Sequence, residues 1–252
     1  MIKNRVNKIF YDILKIHRNI RRSPEVYNIL LVNILILVMV IFMEPNRYIV
    51  IAAYFFETLI IGISNVIKML IISLFSPARN EKPDIILDKS QVKGFSSPLQ
   101  QNLFLILFFI LHFSIFYFVQ LGLMVGAGGS LDGNFPGSNS FLPDPFAFFK
   151  ETFGEQGIIT VIAIILMQLF SLIYSFIMKG EYKVTSCIYQ AIQPYGRIIL
   201  QQIVVLVGGF FIILMQDPVV FSCMLIIIKT FVDVYAQKKH DTKITKRLGE
   251  KY

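Results

Sequence analysis

The chain has 252 residues, 55% of them hydrophobic, and a formal net charge of +8. Its mean hydropathy is +0.65, well above what a water-soluble domain of ordinary composition needs, and the apolar residues come in long uncharged runs. These figures exclude a soluble globular enzyme. The placement of the positive charge, set out below, also excludes a nucleic-acid-binding module.

The chain begins with MIKNRVNKIFYDILKIHRNI, in which Ile2, Val6, Ile9, Ile13, Ile16 and Ile20 are spaced by three and four residues. That periodicity predicts one apolar helix face, with Lys3, Lys8, Lys15 and Arg18 largely on the other. Over residues 1–22 it is the pattern of an amphipathic helix lying on an anionic membrane surface. Charge interrupts this segment throughout and no small-residue cleavage motif follows it, so it does not read as a cleaved signal.

A membrane span needs about 20 mainly apolar residues to cross a core of about 30 Å. Six segments meet or approach this: roughly 26–43, 48–75, 101–127, 157–178, 197–215 and 219–236. Ser23-Pro24, Asp144-Pro145 and Asp217-Pro218 each place a capping side chain before a proline suited to a first helical turn. Glu44-Pro45-Asn46-Arg47 makes a tight break between the first two spans. The loop at 128–156 opens on the flexible GGSLDGNFPGSNS and continues as FLPDPFAFFKETFG. There Pro145 and Gly154 bound a short helix, and Phe146, Phe148, Phe149 and Phe153 are expected to anchor it at the membrane interface.

Twenty of the 24 Lys and Arg residues fall in one set of loops and termini. Only Arg47 and Lys150 fall in the other, and Lys68 and Lys229 lie inside spans. This positive-inside asymmetry predicts a cell-membrane protein with both termini cytoplasmic. The expected architecture is therefore all-α: one integral membrane domain over residues 1–252, a polytopic bundle of about six transmembrane helices. Its partners are the lipid bilayer and anionic headgroups on the cytoplasmic face. A homodimer or another membrane protein is a further option, and no nucleic-acid motif is present.

Polar residues within spans are costly and mark candidate sites. Counting 1.5 Å per residue from each span's end, Glu57, His112, Gln168 and Lys229 all lie about 14–17 Å deep, near the bilayer midplane. Ser64, Asn65 and Lys68 share one stripe with Glu57, and Asp233 lies one turn beyond Lys229. Gln120 and Gln202 sit near span ends and suit hydrogen bonds between helices. Gly122 and Gly126, at four-residue spacing, and Gly208-Gly209 are expected to allow close helix approach. Cys187 and Cys223 show neither disulfide nor zinc spacing, and no cofactor is called for.

The segments YFFETLIIGISNVIKML, FLILFFILHFSIFYFVQ, PYGRIILQQIVVLVGGF and LIIIKTFVDVYAQ, with the order Glu57, Asn65, Lys68, His112, Gly208-Gly209, Lys229 and Asp233, resemble a prokaryotic family. It is the family of multi-pass membrane proteins carrying domain of unknown function 6498. The family's pattern often has an asparagine where this chain has Thr58, and histidines where it has Gln120 and Gln202. A metal bound through several histidines in such relatives would lose most of its ligands here. The resemblance implies a fold and leaves activity open.

Three readings of the midplane group follow. In the first, Glu57 pairs with Lys229 or His112 to hold helices together or to bind a partner. The second is proton- or ion-linked transport, with Glu57 exchanging a proton, His112 relaying it and Lys229 as counter-charge. The third is an intramembrane enzyme or a metal or haem protein, with Glu57 and His112 as ligands, which falls short of the ligand number zinc requires. Catalysis is the least supported of the three.

Overall fold

A computed structural model describes residues 24–42, 48–76, 98–131, 137, 145–154, 157–196, 198–199 and 218–251. The expected amphipathic helix at 1–22 lies outside them. So do nearly all of the 197–215 span, with Gln202, Gly208 and Gly209, and most of segment 132–144. Every secondary-structure element among the described residues is helical. In chain order the elements are α1 (Pro24–Phe42), α2 (Ile49–Phe75), α3 (Pro98–Leu131), α4 (Pro145–Phe153) and α5 (Ile158–Met178). A single 3-10 turn (Glu181–Lys183), α6 (187–196) and α7 (Pro218–Lys251) complete the fold.

Three prolines start helices where the sequence places them, at Pro24, Pro145 and Pro218, because a first-turn residue has no intrahelical use for its N–H. Gly154 stops α4 with φ +49° and donates its N–H to the Lys150 carbonyl at 3.1 Å, the left-handed ending that glycine adopts without steric cost. Three helices, Ile49–Phe75, Leu99–Gly126 and Ile158–Met178, are long and apolar enough to cross a membrane, and Pro24–Val38 is a shorter apolar helix.

Two boundaries differ from expectation. α3 runs to Leu131 and takes in Gly128 and Gly129, which the sequence suggests as loop. α7 continues well past residue 236 into a charged stretch, to Lys251. Nothing breaks that helix, and it is laced by i,i+4 contacts such as Gln237 Nε2 to Asp241 Oδ1 at 2.9 Å.

α2 is the central helix, in contact with α1, α3, α4, α5 and the 3-10 turn, while α1 packs along α7. α2 therefore has two different neighbourhoods. On one side Phe55 meets Tyr117 and Phe148 edge-on, at 6.2 and 6.5 Å between ring centroids, and Phe56 meets Phe149 and Phe153, both at 5.9 Å. Three of the four α4 phenylalanines thus pack onto α2 and only Phe146 is exposed, so α4 is docked on the bundle and does not rest on all four rings as an interfacial anchor.

Close helix approach occurs at Gly62, where a Cβ would stand 2.3 Å from Phe113 of α3. At Gly126 a Cβ would meet no heavy atom within 4 Å, so the contact expected of that glycine is not made among the described residues, and Gly122 is half-buried. α5 widens from an α- to a π-helix over Ser171–Met178, where the Lys179 N–H reaches back five residues to the Tyr174 carbonyl at 3.0 Å.

Candidate functional site

The other side of α2 carries polar side chains at helical spacing, and Glu57 is the deepest of them. One residue short of a full turn before it, Tyr54 is 1% exposed. α7 presents Lys229 and Asp233 four residues apart, on one face. α1 brings Asn33 to the same level. The Lys229 ammonium lies 2.5 Å from Glu57 Oε2 and 2.9 Å from Asp233 Oδ2, and donates to Asn33 Oδ1 at 3.3 Å. The Tyr54 ring sits under the same nitrogen, 4.9 Å from it. All five residues are buried; Glu57 is 1% and Lys229 5% exposed.

An ammonium has three N–H donors, and here oxygens from three helices stand within 3.3 Å of it, Asn33 as a hydrogen-bond acceptor and Glu57 and Asp233 as ion-pair partners. Such surroundings let a charge persist away from water, since an isolated buried ion would cost several kcal/mol. When all three groups are ionised, two carboxylates share one ammonium and the group carries one net negative charge.

The four residues expected at one depth divide. Glu57 and Lys229 meet directly. His112 does not join them: it is exposed on α3, stacked on Phe108 at 5.5 Å and tilted against Tyr195 at 5.6 Å. Gln168 is half-buried and lines a cavity on the side of the cluster where α2 ends. The helix rise fixes depth but not the direction a residue faces around its axis, and that direction separates these two from Glu57.

Of the secondary positions, Asp233 belongs to the cluster. Asn65 makes two hydrogen bonds with Gln190 of α6: its Nδ2 donates to the Gln190 main-chain carbonyl at 3.1 Å, and the Gln190 side-chain Nε2 donates to its Oδ1 at 2.5 Å. Lys68 stands 5.5 Å from the Phe176 ring centroid. Ser64 and Gln120 are buried, and the Ser64 Oγ and Gln120 Nε2 have no hydrogen-bond partner among the described residues.

A second ion pair, buried at its carboxylate but exposed at its lysine and not anticipated from sequence, ties α1 to the end of α5: Lys179 Nζ lies 2.6 Å from Glu25 Oε1, which also accepts from the Ser175 hydroxyl. The π-helical stretch supplies Ser175, and Lys179 directly follows it. Asn33 and Tyr54 were also missed, although Asn33 is nine residues into α1, the same depth count that singled out Glu57.

Past the end of α5 the chain turns, and burial raises the carboxyl of Glu181 there, against the opposing pull of His240, Lys68 and Lys179. Burial also raises the Cys187 thiol to about 11, despite the Ser73 hydroxyl 4.0 Å away. Both cysteines are free. No group of three His, Cys, Asp or Glu among the described residues could hold a metal ion.

Five helices enclose the cavity next to the cluster, of about 500 Å³, with Asp233, Ser64, Asn65 and Gln168 in its wall. An all-helical chain with helices able to cross a membrane, joined by charges buried between them, is the class of protein this fold defines. A model of the family of unknown function DUF6498 matches residues 15–250, and the chain belongs to that family. No curated protein and no solved structure matches it.

Proposed function

We propose that the chain is a multi-pass integral membrane protein, with about six spans and both termini cytoplasmic, in which the Lys229 cluster is a helix clamp. The positive-inside charge asymmetry supports the orientation. Lipid contact is supported by α3, where Leu107, Leu111, Ile115, Val119 and Leu123 are all more than half exposed, a stripe that water would not tolerate but hydrocarbon does.

One observation carries the clamp reading: the buried Lys229 ammonium stands within 3.3 Å of oxygens from α1, α2 and α7 itself. With Lys229 removed, two carboxylates stay buried without their counter-charge. Lys229→Met should therefore lower stability by about 3–5 kcal/mol, as breaking buried pairs does. Replacing the ionic set together (Glu57→Gln, Lys229→Met, Asp233→Asn) should recover most of that loss, because the desolvation penalty goes with the charges. Thermal unfolding of the full chain in detergent measures both. An unchanged midpoint in Lys229→Met would remove the clamp reading.

A second reading, solute transport, draws on the cavity that reaches Asp233. It predicts gradient-dependent flux in proteoliposomes, and it loses the relay through His112, which lies on another face.

A further inference from the structure

The wall of the cavity beside the cluster is ordered by charge. On α7, Asp233, Gln237, His240 and Lys243 recur at three- and four-residue spacing and all line it, so they form one face. Helix rise separates Asp233 from Lys243 by about 15 Å. On α2, Ser64 and Lys68 line it one turn apart in the same sense. The inner end therefore holds Asp233, which shares its ammonium with Glu57, and the outer end holds Lys68, Lys239 and Lys243. Lys243 is steadied over the Tyr189 ring at 4.2 Å. The other carboxylate in the wall, Glu25, is paired to Lys179.

A second observation points to an occupant. Ser64 is 7% exposed and its hydroxyl, able to donate and to accept, has no hydrogen-bond partner among the described residues. A buried polar group left so is destabilising until something hydrogen-bonds to it. Its position in the wall, with the amides of Asn65, Gln168 and Gln193 around the same space, offers hydrogen bonds between the two charged ends. The volume falls in the range of small-molecule sites, about 300–1,000 Å³.

A wall of one sign would select an ion. A negative inner end facing a lysine-lined mouth selects a molecule with both signs. We propose that this cavity binds a phosphoethanolamine-type zwitterion, with its primary ammonium toward Asp233 and Ser64 and its phosphate among Lys68, Lys239 and Lys243. Clustered lysines bind phosphate as point charges. The same chemistry comes from a free phosphoethanolamine compound or from the headgroup of a phosphatidylethanolamine lipid.

Gly196 provides a plug. It lines the cavity, and a Cβ built on it meets no heavy atom within 4 Å, so Gly196→Leu fills space without displacing a neighbour at its first carbon. The full chain is placed in nanodiscs of phosphatidylcholine and phosphatidylglycerol, and its unfolding midpoint is read with equal millimolar glycerophosphoethanolamine, ethanolamine or inorganic phosphate. Glycerophosphoethanolamine should raise the midpoint by about 4 °C, the other two should not, and Gly196→Leu should lose the rise. If the soluble probe does nothing but nanodiscs containing phosphatidylethanolamine raise the wild-type midpoint and not that of the plugged variant, the source is the lipid.

An equal rise with phosphate alone makes the site an anion site, and an equal rise with ethanolamine alone a cation site; either overturns the proposal, as does no rise in any arm. Should Gly196→Leu itself fold poorly, the double variant Lys239→Gln/Lys243→Gln takes its place. It should weaken binding of the probe by at least about tenfold, and unchanged affinity overturns the proposal.

Discussion

The two sides of α2 hold their neighbours by different physics. Toward α3 and α4, Phe55 and Phe56 meet four aromatic rings edge-on. Toward α1, α6 and α7, Glu57, Ser64, Asn65 and Lys68 meet charges, amides and a cavity. Apolar packing is additive and forgiving in direction. The polar side depends on donors and acceptors being matched one for one, and a single missing partner strands the others. One helix thus joins a half-bundle held by ring packing to a half-bundle held by buried charges and amides.

Truncation on the aromatic side tests how much that side contributes. Phe148→Ala, at a fully buried ring, should cost about 3–4 kcal/mol and release α4 from α2; thermal unfolding reads the first and protease access to residues 145–154 the second. Gly62→Ala adds a carbon 2.3 Å from the Phe113 ring and should cost about 1–3 kcal/mol in the same assay as the helices move apart. On the polar side, Glu57→Gln leaves Lys229 with Asp233 and Asn33, so its expected loss is smaller, about 1 kcal/mol. A loss matching that of Lys229→Met would mean that the α2 carboxylate, not the shared ammonium, is the centre of the clamp.

The smallest effect is at Glu181, where the sign is opposite. Its folded carboxyl is raised by burial, so the ionised form is the less stable one when folded. That penalty is absent below the unfolded value, grows as pH rises toward the folded value, and is constant above it. Glu181→Gln should therefore raise the midpoint slightly at pH 7 and leave it unchanged near pH 4, as a pair of melting curves would show.

Much of the helical frame can be read from the chain because its punctuation is local. Proline after a capping residue starts α1, α4 and α7, and Gly154 ends α4. The meeting of Glu57 with Lys229 is legible too, since burying either charge alone is too costly. What the sequence conceals is orientation around each helix axis. His112 and Glu57 share a depth, but the facing of α3 turns His112 outward toward Phe108 and Tyr195. Among the described residues, a close approach between helices falls at Gly62, which no motif marks, and not at Gly126 of the four-residue motif. Gln190 becomes the partner of Asn65 only once α6 is folded back against α2.

The clamp also sets a schedule. Asn33 and Lys229 are 196 residues apart in the chain, and Glu57 lies near the early end of that interval. At a synthesis rate of about 5–20 residues per second, about 9–34 s pass between the ribosome releasing the carboxylate and releasing its ammonium. A membrane-inserted chain must shelter Glu57 for that time, at the interface or against the insertion machinery. Ribosomal pausing or a missing chaperone late in translation would then be felt first by the earliest helices.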